Sequence, residues 1–373
     1  MSRLAIGTLN GRIKMIMAST NEVLFDVQGH RSYVKSVAIS PDGQTLATAS
    51  DDGCCKLWNA NDGAEVFNLR GHDSRMHCLC TLDEDGMCYQ QDPNCPNKGH
   101  GGKGKHPGVM AVAWSIDGHS LASGGKDGVV IVFHPNGSIV YRLHRHSESV
   151  LAVAFSPDGR KLATAGMEGK VHLWTLTSGE VLRTLVGHPL GVLALAFQPD
   201  SQRVATAGFD RQVKVWDVET GEHIMNLAGH REPVRAVSFS PDGKKLLSCS
   251  DDMAIRVWHP VSGKALMVLK GHDFQDGCLC DKNSGIKNMS CLVRGHRAGV
   301  RSLAFSPDGL VLASGSYDRT ARIMDATKHS FDVMRRVAID TEVVSVALGY
   351  MDPPKEAKKR DSEWAQSFLP RLF

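Results

Sequence analysis

The chain of 373 residues is 42% hydrophobic and 22% charged, with a formal net charge of +3, the balance of a globular protein. No apolar run reaches the eighteen or so residues of a membrane span, and Met1 to Met17 lack the apolar core of a secretion signal. Lys and Arg are spread along the chain and give no nucleic-acid signal. The reading is an intracellular protein, cytoplasmic with nuclear or cytoskeletal alternatives, whose ten cysteines are reduced thiols or metal ligands rather than disulfides.

In chain order, Leu4 to Ile16 comes first as two strand-like runs. From Gly29-His30 a unit begins that returns at Gly71-His72, 42 positions later, and again at Arg145-His146, Gly187-His188, Gly229-His230 and Gly271-His272. Trp58, Trp174, Trp216 and Trp258 each follow a unit's His by 28 positions. Such a period signals a repeat architecture. Within one unit, Val34, Val37 and Ile39 alternate; then come the turn Ser40-Pro41-Asp42-Gly43, the run Leu46-Ala47-Thr48, Asp52-Gly53, and a strand ending at Trp58. Short alternating runs separated by Pro, Asp and Gly are antiparallel strands joined by tight turns, and four fit in one period.

These residues resemble the WD-repeat (WD40) β-propeller family, although only Trp216-Asp217 keeps the full Trp-Asp ending. The resemblance implies an all-β, seven-bladed propeller over residues 1–350, with insertions at about 73–105 and 273–295. Six blades start at His30, His106, His146, His188, His230 and His296. The seventh combines Met1–Val27 with Val343–Leu348, so that both chain ends share one sheet and no free edge is left.

In the family a loop His, a Ser or Thr, a turn Asp and a strand Trp form a hydrogen-bonded relay that pins each blade. By position this set is complete at His30, Ser50, Asp52, Trp58 and at His230, Ser250, Asp252, Trp258. It is reduced to His188, Asp210 and Trp216 in one blade and to His296, Ser316 and Asp318 in another. The remaining blades keep less: His146 with Glu168 and Trp174, Asp127 with Phe133, and Thr8 with Asn10 and Ile16. The regular histidines are thus read as structural. No Gly-rich phosphate loop, Gly-x-Ser-x-Gly elbow or His-Glu-x-x-His is present, and the chain is read as non-catalytic with no required cofactor.

Individuality lies where the period breaks. The first insertion carries Cys78, Cys80, Cys88 and Cys95, and the second Cys278, Cys280 and Cys291. In each, Cys-Leu-Cys begins six residues after a His. Thiolates with an imidazole suit zinc, a thiol pair suits redox sensing, and surface loops with reduced thiols are the plain alternative.

The resemblance also places two outward positions per blade around the channel mouth. They give an apolar sector of Leu151, Met167, Leu193 and Phe209 and a charged, aromatic sector of Arg235, Asp251, Arg301, Tyr317, Tyr33, Lys35 and Asp51. An apolar patch rimmed by charge is a protein-binding surface, unless the leucines turn inward and pack. Residues 351–373 form a tail in which Trp364, Phe368 and Leu372 recur at a spacing of four, consistent with a short helix.

The function expected is a protein-interaction scaffold that helps assemble a complex, the propeller itself being monomeric. A zinc-binding or thiol-redox sensor is the alternative, and a cytoskeletal or ciliary WD-repeat protein a weaker one. Glu219, three residues after Trp216, stands where ubiquitin-ligase adaptors of the family carry Arg and argues against that role.

Overall fold

The computed structural model describes residues 2–69, 71–72, 108–270, 295–327 and 331–350. Over these residues the chain forms 28 strands, β1 to β28 in chain order, in seven four-stranded antiparallel sheets. The innermost strands are β28 (Val343–Tyr350), β4 (Val34–Ile39), β8 (Val109–Trp114), β12 (Val150–Phe155), β16 (Val192–Phe197), β20 (Val234–Phe239) and β24 (Val300–Phe305). Each packs against the next, and β24 returns to β28, so the blades close a ring around a central channel. The protein is a seven-bladed β-propeller.

Burial follows the radius. In the second strand of the first complete blade, β5 (Thr45–Ser50), five of six residues are buried, whereas four of five in the outer strand β7 (Glu65–Leu69) are exposed. Small residues in the second strands, such as Ala47 and Ala49 or Ala205 and Ala207, let neighbouring sheets approach. Seven apolar clusters fill the wedges between blades. In one of them Ala163, Leu173 and Leu185 of one sheet meet Phe197, Val204 and Trp216 of the next. Trp58, Trp174, Trp216 and Trp258 are all nearly inaccessible, and Phe133, Met324 and Ile16 fill the corresponding wedges elsewhere. The recurrent aromatic is therefore a packing residue that joins two blades.

The turns follow their chemistry. In Ser40-Pro41-Asp42-Gly43 the Gly43 N–H donates to the Ser40 carbonyl at 2.8 Å, the Ser40 hydroxyl donates to Asp42, and Gly43 takes φ of 72°. Pro presets the first corner of such a turn and Gly tolerates positive φ.

The shared blade is ordered β28, β1 (Ser2–Thr8), β2 (Arg12–Met17), β3 (Val23–Gln28). Antiparallel pairing runs from Ser2 opposite Tyr350 to Thr8 opposite Val343. Val343, Val346 and Leu348 are buried with Leu4, Ile6 and Ile323, so the closure is also an apolar seam. Each such side chain contributes about 1.5–3 kcal/mol. Deleting residues 341–373 is expected to unfold or aggregate the protein, as read by size-exclusion chromatography and thermal melting. A monomeric truncation with an unchanged Tm would show that the seam is dispensable.

Candidate functional site

Six blades carry a His whose ring is clamped on both sides. His30 Nδ1 lies 2.9 Å from Asp52 Oδ2 and its Nε2 lies 2.7 Å from Thr48 Oγ1, while Trp58 Nε1 donates to the same Oγ1 at 2.9 Å. Every group is satisfied in one direction: the Trp N–H donates to the hydroxyl, the hydroxyl to His Nε2, and His Nδ1–H to the carboxylate. The same chain of contacts runs through Trp174, Thr164, His146 and Glu168, through Trp216, Thr206, His188 and Asp210, and through Trp258, Ser248, His230 and Asp252. Without a Trp, His72 still joins Ser123 to Asp127 and His296 joins Ser314 to Asp318.

Three expectations are corrected here. The relay hydroxyl is 18 residues after His30, at Thr48, and not at Ser50; Ser248 and Ser314 likewise displace Ser250 and Ser316. Ser50 instead donates to the Ser32 carbonyl and accepts from the Asp52 N–H, so it shapes the turn that carries the Asp; Ser250 and Ser316 make the matching bonds. Thr48 and Ser50 are two residues apart on one strand face, and only reach to Trp58 separates them. Secondly, the relay does not decay at His188 or His146, because Thr206 and Thr164 complete it. Thirdly, the blade that begins with β8 is anchored by His72, which precedes the first insertion, whereas His296 follows the second. His106 and the seven insertion cysteines lie outside the described residues.

Burial alone would raise the carboxyls of Asp52 and Asp252, but hydrogen bonds from His30 and His230 and from backbone N–H groups bring both down to about 2. Asp210 and Asp318 are lowered for the same reasons. His172, adjacent to one relay, is held down to about 4 by burial and by the neighbouring His146.

The relay fixes the loop that enters each inner strand, and there the structure repeats a second device. Every inner strand slips register by one residue against its neighbour, leaving one extra residue: Val344, Lys35, Met110, Leu151, Leu193, Arg235 and Arg301 in ring order. A β-bulge re-aims the side chain it frees. All seven residues line the central cavity of about 230 Å³. Leu151 and Leu193 are half-buried and face the channel rather than the core.

Around the rim the chemistry is unequal. Arg235 lies over the Phe209 ring at 5.3 Å and donates to Asp251 Oδ2 at 2.8 Å from Nε. Asp251 Oδ1 faces Arg301 Nε at 3.5 Å, and the Arg301 guanidinium stacks on Tyr317 at 3.8 Å. Past the shared blade on the same arc, Asp51 bridges Lys35 at 3.1 Å and Lys126 at 2.6 Å, with Lys35 over Tyr33. Each of the two clusters thus sets two cations against one carboxylate. On the opposite arc Met167 is 42% exposed, and Leu190, which the sequence reading missed, is 60% exposed. Its signal was available: Leu190 stands two residues after His188, where Ser32, Glu148, Glu232 and Ala298 follow the other histidines.

Comparison with known proteins agrees with this geometry. The WD domain, G-beta repeat family matches residues 21–59, 95–134, 137–175, 179–217, 221–259 and 288–325, well over half of the chain. The chain belongs to the WD-repeat family. Among curated WD-repeat relatives, the small ribosomal subunit protein RACK1 of Caenorhabditis elegans is 28% identical over 123 residues, 28% of this chain and 38% of the relative. The RACK1 protein of Neurospora crassa is 27% identical over 136 residues, 32% and 42% of the two chains. The cross-pathway control WD-repeat protein 2 of Flammulina velutipes is 25% identical over 115 residues, 26% and 36%. The chain spans less than half the length of these curated relatives. As a WD-repeat propeller it is of a family built for protein interaction. No helix among the described residues is long and apolar enough to cross a membrane.

Two measurements test the relay. Thr48→Val strands the Trp58 N–H and the His30 ring and is expected to cost on the order of 2–4 kcal/mol, whereas Ser50→Ala costs about 1 kcal/mol or less; denaturant melts returning the reverse order would refute the assignment. The second concerns pH. Asp52 and Asp252 keep their charge in the folded chain at acidities where the unfolded carboxyls, near 3.8, take up protons. Their stabilisation is complete above the unfolded value and drains as pH falls through 3.8 toward about 2. The denaturant midpoint is expected to drop in that window, and less steeply in the Asp52→Asn, Asp252→Asn double variant.

Proposed function

We propose that this chain is a non-catalytic interaction scaffold inside the cell that helps assemble a multiprotein complex, and that its contact surface is the channel rim. The observation that carries the reading is the ring of seven bulged residues, identical in backbone setting and divided into an apolar and a cationic arc. The partner segment that suits it carries apolar side chains for Leu151, Met167, Leu190, Leu193 and Phe209, with an adjacent carboxylate for the Arg235–Arg301 side. Aromatic and Arg residues at such a junction are the usual energetic centres of interfaces. The names of the RACK1 relatives, which place those proteins in the small ribosomal subunit, support assembly as a role without fixing the partner.

Leu193→Asp with Phe209→Asp tests this without disturbing the fold. The bulge position of Leu193 already accepts charge in other blades, as Lys35 and Arg235, and the place of Phe209 is held by Asp51 and Asp251. Tagged wild-type chain is expected to co-purify partners that the double variant loses, while the Tm changes by no more than about 3 °C. Retention of the same partners by a folded double variant would exclude this arc as the contact surface.

A further inference from the structure

One blade departs twice from the others, and both departures meet. Where the relay carboxylate is Asp in five blades, this one has Glu168. Four positions later on β14 (Lys170–Thr175) stands His172, where the other blades carry Lys14, Lys56, Ile131, Lys214, Arg256 and Arg322. The His146 and His172 rings lie 4.6 Å apart, and one donor atom from each of His146, Glu168 and His172 falls within 4.8 Å of the others.

His172 is only 2% exposed and its Nε2, buried, has no hydrogen-bond partner. Its Nδ1 lies 2.9 Å from Thr184 Oγ1. With Nδ1–H donated to Thr184, Nε2 keeps a bare lone pair on a ring packed beside His146 and Glu168. A buried polar atom left unpaired costs about 1–3 kcal/mol, and this one sits where three other blades carry Lys14, Lys56 and Lys214. A metal-ligating His characteristically donates its second nitrogen to a partner that fixes the ring, the role Thr184 fills.

We propose that His146, Glu168 and His172 bind a divalent cation of the zinc class within this blade. Two imidazoles and one carboxylate form a three-ligand set for zinc, with a fourth position for water. His146 Nδ1 and Glu168 Oε1 are now 2.5 Å apart and share the imidazole proton. Tetrahedral ligands at zinc stand about 3.4 Å apart, so this pair opens slightly while His172 moves inward. His146 changes tautomer: its proton leaves Nδ1 and one is carried on Nε2, donated to Thr164 Oγ1 at 2.8 Å. The Thr164 hydroxyl proton then turns to the His172 carbonyl, 3.5 Å away, and no net proton is released. Glu168 Oε2 keeps the Ser147 N–H at 2.6 Å and the Ser147 hydroxyl. Arg145 and Lys170 are the neighbouring cations; both are exposed, where water and salt screen them.

The test uses the full chain, stripped of metal and titrated with Zn²⁺ and, separately, Co²⁺. His172→Lys installs the residue found at Lys56 and Lys214 and is expected to bind one zinc fewer than wild type. Cobalt held by thiolates shows charge-transfer absorption in the near ultraviolet and cobalt held by nitrogen and oxygen does not, so the lost ion should leave any thiolate band unchanged. Equal zinc stoichiometry and affinity in the two proteins overturns the proposal, as does a loss confined to the thiolate band. If circular dichroism shows His172→Lys unfolded, Glu168→Gln, which removes the carboxylate charge at nearly unchanged volume and keeps the Ser147 N–H on its amide oxygen, gives the same count and the same decision.

Discussion

A buried hydroxyl in the second strand of a blade, Thr48 in the first complete one, receives the Trp N–H of the third strand and donates to a His in the loop before the first. That His in turn holds the carboxylate of the turn beyond the second strand. Three connections that chain geometry leaves independent are thereby locked together at a point shielded from water, where an unpaired donor or acceptor is costly. The loop that enters each inner strand takes its position from this lock, and the bulge one turn further on inherits it.

The period, together with the WD-repeat resemblance its residues carry, made the number of blades, the strand order and the shared closing blade legible, because strands, turns and wedge-filling Trp residues recur at fixed spacing. Finer assignments depended on reach. Thr48 and Ser50 obey the same alternation, and a pattern of period two cannot say which one faces Trp58. The first insertion hid the role of His72, since sequence order brings His106 nearer to β8 while the fold keeps the anchor with the end of the preceding blade. Leu190 escaped notice because attention to fixed offsets passes over the loop residues between them. His172 was invisible as a departure until Glu168 and His146 were seen to converge on it.

The relay and the bulge divide labour. Residues of the relay are constrained by hydrogen bonding to a few types, and residues of the wedge by volume. The bulged position is constrained by neither, since its backbone is fixed by the register slip whatever the side chain. Lys35, Met110, Leu151, Leu193, Arg235, Arg301 and Val344 differ freely on a common frame, and their sequence around the ring amounts to a surface written independently of the fold. The Phe209–Arg235–Asp251–Arg301–Tyr317 series shows how such positions couple across blades, each charge oriented by an aromatic face or a carboxylate before any partner arrives.

Pairing of β28 with β1 has a consequence in time as well as space. On the ribosome β1 is made before β28, so the blade they share must wait, its inner edge and the apolar side chains of Leu4 and Ile6 uncovered, while the six other blades are synthesised. At about 5–20 residues per second that interval is tens of seconds. For that period the nascent chain is an open ring with one unsatisfied edge, a form chaperones can recognise and a second nascent copy can pair with, and the emergence of β28 ends that exposure.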